Sequence, residues 1–303
     1  MKNNLFLIAL GAALVMLASC SKEKTVTVDG VEVQKSVIKA FEKQYPNATN
    51  VKWKSRPPYS VATFDLPQVK SPAVASGCNT VWYDDSANCK MEELDIKQLP
   101  EAVKLAFDKS IYSSYKIDDI DMISRDGFGV IYVIEVEGKD SKGAEVDLDL
   151  YFSAEGVFIK EMPDSKDDDD DDKYDTMISD VDLSKFHAFL KERFGESYIL
   201  IEADFEENSL FEIEIVVEKI KYDVIFDKDA KFIYDVHEVH IDNVEAVIKE
   251  FINKNYPGQD VDEVDIVCSA DGSKKYVFEV EVGDIEKDIV VRIDENGTVV
   301  EIK

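Results

Sequence analysis

Basic residues are few relative to acidic ones in this chain. It holds 35 Lys and Arg against 64 Asp and Glu among 303 residues, which gives a formal net charge of −29. Because nucleic-acid phosphates are bound by clustered positive charge, this balance argues against nucleic acid as a partner. The length and a hydrophobic fraction of 45% allow two domains, each with a sizeable core.

Histidine is also rare, and the usual catalytic motifs are missing. Of the 3 histidines, His187 falls on a predicted helix, while His237 and His240 lie three residues apart on a predicted strand and point to opposite faces. That spacing disfavours shared zinc ligation. Since a nucleophile elbow, a phosphate loop and a dinucleotide fingerprint are absent as well, we expect a protein that is not an enzyme and that needs no cofactor.

The apolar runs are too short to span a membrane. The longest, from Leu5 to Leu17, follows Lys2 and ends in small residues, which is typical of a secretory signal. Its end, Leu17-Ala18-Ser19-Cys20, resembles the lipobox of bacterial lipoproteins. We therefore expect residues 1–19 to be removed, Cys20 to be lipidated and residues 20–30 to act as a tether. The alternative is an ordinary signal peptide in which Cys20 is incidental.

A lipid anchor predicts a place in the bacterial cell envelope, as an outer-membrane lipoprotein attached through its acyl chains. Signals for export to the cell surface place Ser and acidic residues just after the anchor cysteine. Here Ser21-Lys22-Glu23-Lys24 has one acid between two lysines. The periplasmic and the surface-exposed orientation both stay open.

Cysteine is nearly as rare as histidine, with 4 in the chain. After lipidation of Cys20, an oxidising envelope permits a disulfide between Cys78 and Cys89. A turn at Asp84 to Ala87 would, however, place Cys78 opposite Glu93, so that bonding requires a bulge or a longer loop. The bonded and the free state both remain open, and Cys268 is expected to pack on a strand.

A predicted helix followed by short strands of alternating apolar and polar residues occurs four times in the sequence. In the clearest copy, Val244, Ile248 and Ile252 share one helical face, Tyr256-Pro257 ends the helix, and alternating strands follow. Such repetition predicts an α+β fold of tandem helix-plus-antiparallel-strand repeats, in two paired-module domains with helices packed on one face of a sheet. The predicted modules span residues 31–95, 96–163, 176–240 and 241–303, and they pair into domains at 31–163 and 176–303.

An acidic linker, residues 164–175, separates the two predicted domains. Its like charges repel one another and bury nothing, so a solvated, extended linker is favoured. A loose calcium site is the alternative, because carboxylate oxygens suit that ion, but the run lacks the ligand spacing and the turn glycine of a calcium loop. The aspartates concerned are Asp167, Asp168, Asp169, Asp170, Asp171 and Asp172.

These residues carry a family resemblance. The helix ending at Tyr45-Pro46, the strand that begins Asn50-Val51-Lys52-Trp53 and the turns led by Asp84 and Asp294 resemble the PepSY-like lipoproteins, whose fold is similar to beta-lactamase inhibitory protein. The resemblance implies paired modules that form a broad antiparallel sheet, with helices on one face and a concave open face for binding. It implies no catalytic residues.

Two surfaces are candidates for a partner. Modules two to four are expected to present an outward row of carboxylates. This row is either a sheet face that is simply solvated or a surface that attracts a cationic partner. These are Glu135, Glu137, Glu212, Glu214, Glu218, Glu279 and Glu281. Module one instead combines positive charge with aromatic side chains, the types that dominate interfaces. Its candidates are Lys52, Trp53, Lys54, Arg56, Tyr59, Trp82 and Tyr83.

The alternative for Trp53 is a place in the core, with its flanking lysines facing water. Charge also divides the chain, because residues 21–70 carry nine Lys or Arg against five acids, whereas residues 174–303 carry fourteen against thirty-three. We therefore expect a membrane-anchored, non-enzymatic binding lipoprotein that presents sheet faces to an envelope or extracellular protein or peptide and is inhibitor-like in fold. A cation-binding or structural lipoprotein is the alternative.

Overall fold

The computed structural model describes residues 25–28, 30–67, 78–140, 143–163, 174, 177, 181–205, 210–282, 285–294 and 297–301. The signal segment, Cys20 and the run Asp167 to Asp172 lie outside the described residues. In the part of the chain that is described, no helix is long and apolar enough to cross a membrane.

A small hairpin precedes the first domain. The hairpin consists of β1 (Thr25–Val28) and β2 (Val31–Gln34). The first domain then contains α1 (Lys35–Gln44), β3 (Thr49–Arg56), β4 (Tyr59–Asp65), β5 (Cys78–Tyr83), β6 (Cys89–Asp95), α2 (Glu101–Phe107), β7 (Lys116–Arg125), β8 (Ile131–Lys139), β9 (Glu145–Ser153) and β10 (Phe158–Pro163).

The second domain repeats this order. It contains α3 (Ser184–Phe194), β11 (Ile199–Phe205), β12 (Phe211–Val217), β13 (Ile220–Phe226), β14 (Phe232–His240), a 3-10 turn (Ile241–Asn243), α4 (Ala246–Asn255), β15 (Glu263–Ser269), β16 (Lys274–Val282), β17 (Ile285–Ile293) and β18 (Val299–Glu301). As predicted, α1 and α4 end at the Tyr-Pro steps, where Tyr45 and Tyr256 leave the helical conformation.

Each domain is built on one antiparallel sheet of eight strands. The strands lie in chain order, from β3 at one edge to β10 at the other, and from β11 to β18. The middle of each sheet joins its two modules, because β6 pairs with β7 and β14 pairs with β15. The predicted α+β class and the tandem repeats are therefore confirmed.

The helices cover one face of each sheet. Phe41 of α1 packs on Trp53 and Phe64, and α2 buries Val103 and Phe107 against the second half of that sheet. In the second domain, α3 and α4 pack in the same way, each over its own half of the sheet. Alternation along the strands sends every other side chain to the opposite side, which we call the open face.

The open face of the first domain is not exposed to water over most of its width. A fifth hydrophobic cluster joins it to the second domain, with Val61, Trp82 and Tyr151 on one side and Ile201 and Val216 on the other. Tyr174 and Met177, from the connection between the domains, belong to the same cluster. The two sheets are thus held together by a shared core.

Candidate functional site

The aromatic residues predicted for a partner site in module one lie on two different faces. Trp53 is only 7% exposed and packs edge-on against Phe41, with ring centroids 5.4 Å apart. Tyr83 is buried in the same cluster under α1, where its hydroxyl donates to Oε1 of Gln44 at 2.7 Å. Both side chains are core residues in this structure, which corrects their assignment to an exposed patch.

Trp82 points the other way, as strand alternation requires, but it is also buried. It is 1% exposed and lies in the cluster between the domains, against which Tyr59 packs as a half-buried neighbour. The basic residues keep contact with solvent, since Lys52 is exposed while Lys54 and Arg56 are half-buried. The structure therefore leaves a basic edge strand at this place, without a continuous aromatic surface.

The candidate disulfide of module one is not formed. Cys89 is a free thiol, and it pairs with Tyr83 across the sheet, whereas Cys78 pairs with Asp65. Five residues of extended strand separate Cys78 from Tyr83, about 16 Å, far beyond the Cα separation of roughly 7 Å that a disulfide can bridge. The register thus keeps the two cysteines apart.

Tyr174 fills a pocket of carboxylates on the open face of the first domain. Its side chain is 1% exposed, and its hydroxyl donates to Oδ2 of Asp121 at 3.0 Å. Burial, together with the nearby carboxylates of Asp121, Glu93 and Asp149, raises the pKa of Tyr174 well above its usual value. The tyrosine therefore stays a hydrogen-bond donor, and those three acids are themselves at most 7% exposed.

Arg125 binds the second domain to the open face of the first domain. Its guanidinium donates to the carbonyl of Met177 at 3.2 Å and to the carbonyl of Ile201 on β11, and it lies 4.6 Å from the ring centre of Phe128. Burial lowers the pKa of Arg125 to about 10, although the carboxylates of the second domain oppose that shift. The side chain remains charged at neutral pH, and it holds two segments at once.

The turn between β7 and β8 completes the contact. The amide of Gly129 donates to the carbonyl of Leu200 at 2.7 Å, so that successive carbonyls of β11 are bound by the first domain. A Cβ on Gly129 would lie 2.4 Å from Cγ2 of Ile199. Beside them, Nζ of Lys160 and Oε2 of Glu202 form an ion pair at 2.7 Å. Edge strand β11 is thereby covered, which prevents it from pairing with another chain.

We call the carboxylate-lined site that holds Tyr174 the first socket. The strand pairing around it recurs on the open face of the second domain. In the first sheet Asp121 pairs with Val133, and Val133 pairs with Tyr151. In the second sheet Asp265 pairs with Val277, and Val277 pairs with Val290. The next row matches as well, because Glu135 and Asp149 correspond to Glu279 and Asp288. Two of the three carboxylates around Tyr174, Asp121 and Asp149, thus have acidic counterparts in Asp265 and Asp288, whereas Val236 takes the place of Glu93.

Unlike the first socket, its counterpart is accessible. Asp149 is 3% exposed, whereas Asp288 is an exposed residue and Val277 and Val290 are half-buried. Partial burial, with Asp223, Asp288 and Glu263 close by, raises the pKa of Asp265. Burial and the neighbouring Glu263 and Asp265 likewise raise the pKa of Glu238. The acids on this face repel one another, and a bound cationic group would relieve that repulsion.

A cleft runs beside these acids. It has a volume of about 760 Å³ and lies between the turn that leads into β10, at residues 156–159, and the open face of the second sheet, including Lys221, Asp223 and Asp265. Among the described residues, no group of three or more His, Cys, Asp or Glu side chains is arranged to hold a metal ion. The size of the cleft suits a side chain or a peptide segment better than a single ion.

The predicted outward carboxylates are not equivalent. Glu137 pairs with Lys116, and Glu214 pairs with Lys221, so these charges are locally balanced. Glu218 occupies a turn with a positive φ of 50° between β12 and β13, away from the sheet face. Glu279 is exposed on the open face, and the side chain of Glu281 lies outside the described part of the chain.

Sequence reasoning missed Tyr174, Arg125 and Gly129. One signal was available for Tyr174, since an aromatic residue only two positions after the last aspartate of the run is unusual for a solvated linker. The roles of Arg125 and Gly129 depend on strand β11, more than 70 positions away in the chain, and no local pattern indicates that contact.

Comparisons with known proteins agree with this architecture. The sequence profile of a family described as "Putative beta-lactamase-inhibitor-like, PepSY-like" matches residues 73–160 and 214–301. A search of curated proteins found no match.

Solved structures from several Bacteroides species are similar to part of the chain. A BLIP-like protein of Bacteroides fragilis is 31% identical, with a TM-score of 0.37, over 46% of this chain and 92% of its own. A "putative periplasmic" protein of Bacteroides eggerthii is 23% identical, with a TM-score of 0.36, over 43% and 88%. A DUF2874 family protein of Bacteroides ovatus is 25% identical, with a TM-score of 0.36, over 44% and 90%.

Proposed function

Because this chain belongs to the PepSY-like, beta-lactamase-inhibitor-like family, we propose that it is a non-enzymatic binding protein of the bacterial cell envelope. It is anchored through Cys20 and holds a protein or peptide partner on the open face of its second domain. The "putative periplasmic" description of the similar Bacteroides eggerthii protein agrees with the envelope assignment at the coarser level. The anchor and the partner are parts of the proposal.

One observation carries the choice of surface. Asp121 and Asp149 recur in the second sheet as Asp265 and Asp288, and the chain itself fills the first site with Tyr174, whereas the second stays accessible. Because the chain occupies this site in the first domain and leaves it accessible in the second, the second site is the better candidate for binding another molecule. The first open face, which the family resemblance also suggested, is already covered.

The charge of the surface indicates the kind of partner. Glu238, Glu263, Asp265, Glu279 and Asp288 line the accessible socket, and Val277 and Val290 give it an apolar floor. Carboxylates around a partly apolar floor suit a segment that carries Lys or Arg next to an apolar or aromatic side chain. Long-range attraction by the acidic second half, with a charge of 14 − 33 = −19, increases the rate of encounter with such a partner.

Site-specific photo-crosslinking in the native envelope tests this proposal. A photoreactive residue at Val277, on the open face, is expected to capture a discrete protein adduct, whereas the same residue at exposed Glu250 on α4 serves as the control on the helix side. Adducts at Val277 that disappear in an Asp265→Lys/Asp288→Lys background support the proposal. Equal capture at both positions, or no capture at Val277, contradicts it.

A further inference from the structure

We propose that the segment received by the open face of the second domain comes from a second copy of this chain, namely the edge formed by β3 and β4 of its first domain. This inference rests on the proposed function, because it names the partner for the same surface. The contact would repeat between molecules the docking that joins the two domains within one molecule.

The docking within one molecule supplies the template. The first strand of the second sheet, β11, lies on the open face of the first domain, where Ile201 joins the shared cluster. Strand β3 holds the same position in the first sheet, as its outermost strand next to β4. Both strands contain a bulge near their start, between Thr49 and Lys52 in β3 and between Leu200 and Glu202 in β11.

The bulges align the two strands residue by residue. After the bulge, Trp53 and Ala203 both turn to the helix side, where they belong to the clusters under α1 and α3. Lys52 and Lys54 therefore occupy the places of Glu202 and Asp204 on the open side. The docking strand has the opposite charge in the two domains.

The receiving faces differ in their cations. In the first domain, the cations Arg125 and Lys160 bind β11, the former through the carbonyl of Ile201 and the latter through Glu202. Asp121, which pairs with Val133, corresponds to Asp265, which pairs with Val277. Four residues further along the strand, Ser269 therefore occupies the place of Arg125. The second face has thus lost that cation and kept the acids Asp265 and Asp288, so that it suits the basic strand β3.

Such a contact joins two different surfaces, so a pair of molecules still has one free surface of each kind. A heterologous contact of this kind generates rings or open rows of molecules rather than a two-fold dimer. Its dependence on charge also predicts weakening by salt.

Sedimentation velocity of the purified, delipidated mature chain tests the inference. The wild type is expected to form species larger than a monomer as its concentration rises, and to dissociate with added salt. Charge reversal at Lys52→Glu/Lys54→Glu, or at Asp265→Lys/Asp288→Lys, is expected to raise the dissociation constant roughly 10-fold or more. The matched control Lys39→Glu/Lys43→Glu, which makes the same charge change on exposed positions of α1, should associate like the wild type.

Mixing separates a specific contact from a loss of folding. Each charge-reversed variant alone is expected to remain monomeric, whereas an equal mixture should associate again, because the new acidic β3 edge of one meets the new basic face of the other. A monomeric wild type at all concentrations, or a mixture that fails to associate, overturns the inference. If the pure chain is monomeric while Val277 still captures a different envelope protein, only this inference fails and the proposed function stands.

Discussion

The hydroxyl of Tyr174 lies 3.0 Å from Oδ2 of Asp121, and this contact brings the connection between the domains into the interior of the first one. The residue lies two positions after the last aspartate of the acidic run, yet it is among the largest fully buried side chains. Together with Arg125 it converts an open sheet face into an internal interface. The open faces of the two domains therefore differ in how far they are covered, although the domains share the same arrangement of strands.

Replacing Tyr174 by Phe should weaken this interface without creating a cavity. The substitution removes a hydrogen bond to a buried acid, and bonds to charged groups contribute about 1.5–3 kcal/mol. We expect a loss of that size in the free energy of unfolding, measured by urea denaturation. Tyr115→Phe, which removes a hydrogen bond to the exposed carbonyl of Lys139, is the control and should cost clearly less. Equal losses in the two variants would refute the importance of the buried contact.

Gly129→Ala should disturb the docking of the second domain by steric overlap. The φ angle of Gly129 lies outside the left-handed region, so alanine suits the backbone, but its Cβ would lie 2.4 Å from Cγ2 of Ile199. Overlap of this kind costs about 1–3 kcal/mol. Urea denaturation is expected to show a loss in this range.

A double variant distinguishes this overlap from a local effect at the turn. Ile199→Ala removes the methyl group that a Cβ on Gly129 would meet. In the background of Ile199→Ala, the further change Gly129→Ala should therefore cost much less than it does in the wild type. Purely additive losses would show that the two positions are not coupled.

Acidification should at first stabilise the second domain. The raised pKa values of Asp265 and Glu238 mean that the folded state binds more protons than the unfolded state between the ordinary carboxylate pKa of about 4 and the raised values. This contribution is fully present below the unfolded pKa and is lost as the pH rises through the folded pKa.

Thermal unfolding between pH 7 and pH 5 measures this effect. We expect the midpoint to rise as the pH falls, and Asp265→Asn to flatten that rise, while Asp229→Asn on an exposed turn leaves it unchanged. Further acidification should reverse the trend, since hydrogen bonds from the Ser273 side chain and backbone lower the pKa of Asp271 and their contribution is lost at low pH. A midpoint that falls steadily from pH 7 would contradict the expectation.

Cys89 should react slowly with alkylating reagents in the folded protein. Burial, assisted by the carboxylate of Glu92, raises the pKa of this thiol to about 12, and only the thiolate is nucleophilic. Peptide mass spectrometry after iodoacetamide treatment is expected to find Cys89 unmodified under native conditions and fully modified in denaturant. A peptide that links Cys78 to Cys89 before reduction would show that the register described above is wrong.

The helices and most strands could be predicted because their signals are local. The alternation of Tyr276, Phe278 and Val280 fixed which side of β16 is buried, and the apolar spacing of Ile248 and Ile252 did the same for α4. These periodicities need no knowledge of distant parts of the chain. The number of modules followed from their repetition.

The functional surface could not be predicted in the same way. Alternation places Trp53 and Lys52 on opposite sides of β3, but it does not say that both sides of the neighbouring strands become buried. Trp82 is covered because it shares a cluster with Met177, from the connection between the domains, and with Ile201, from the second domain. The choice between an exposed and an internal face depends on such distant contacts, and the sequence pattern around Trp82 is the same in either case.

The proposed binding role of the second open face is tested most directly by crosslinking in the native envelope from Val277, compared with Glu250 on the helix side. The account predicts a discrete protein adduct at Val277, its loss when Asp265 and Asp288 are replaced by lysine, and no such adduct at Glu250. Capture that is absent at Val277, or that persists unchanged after both acids are replaced, would contradict it.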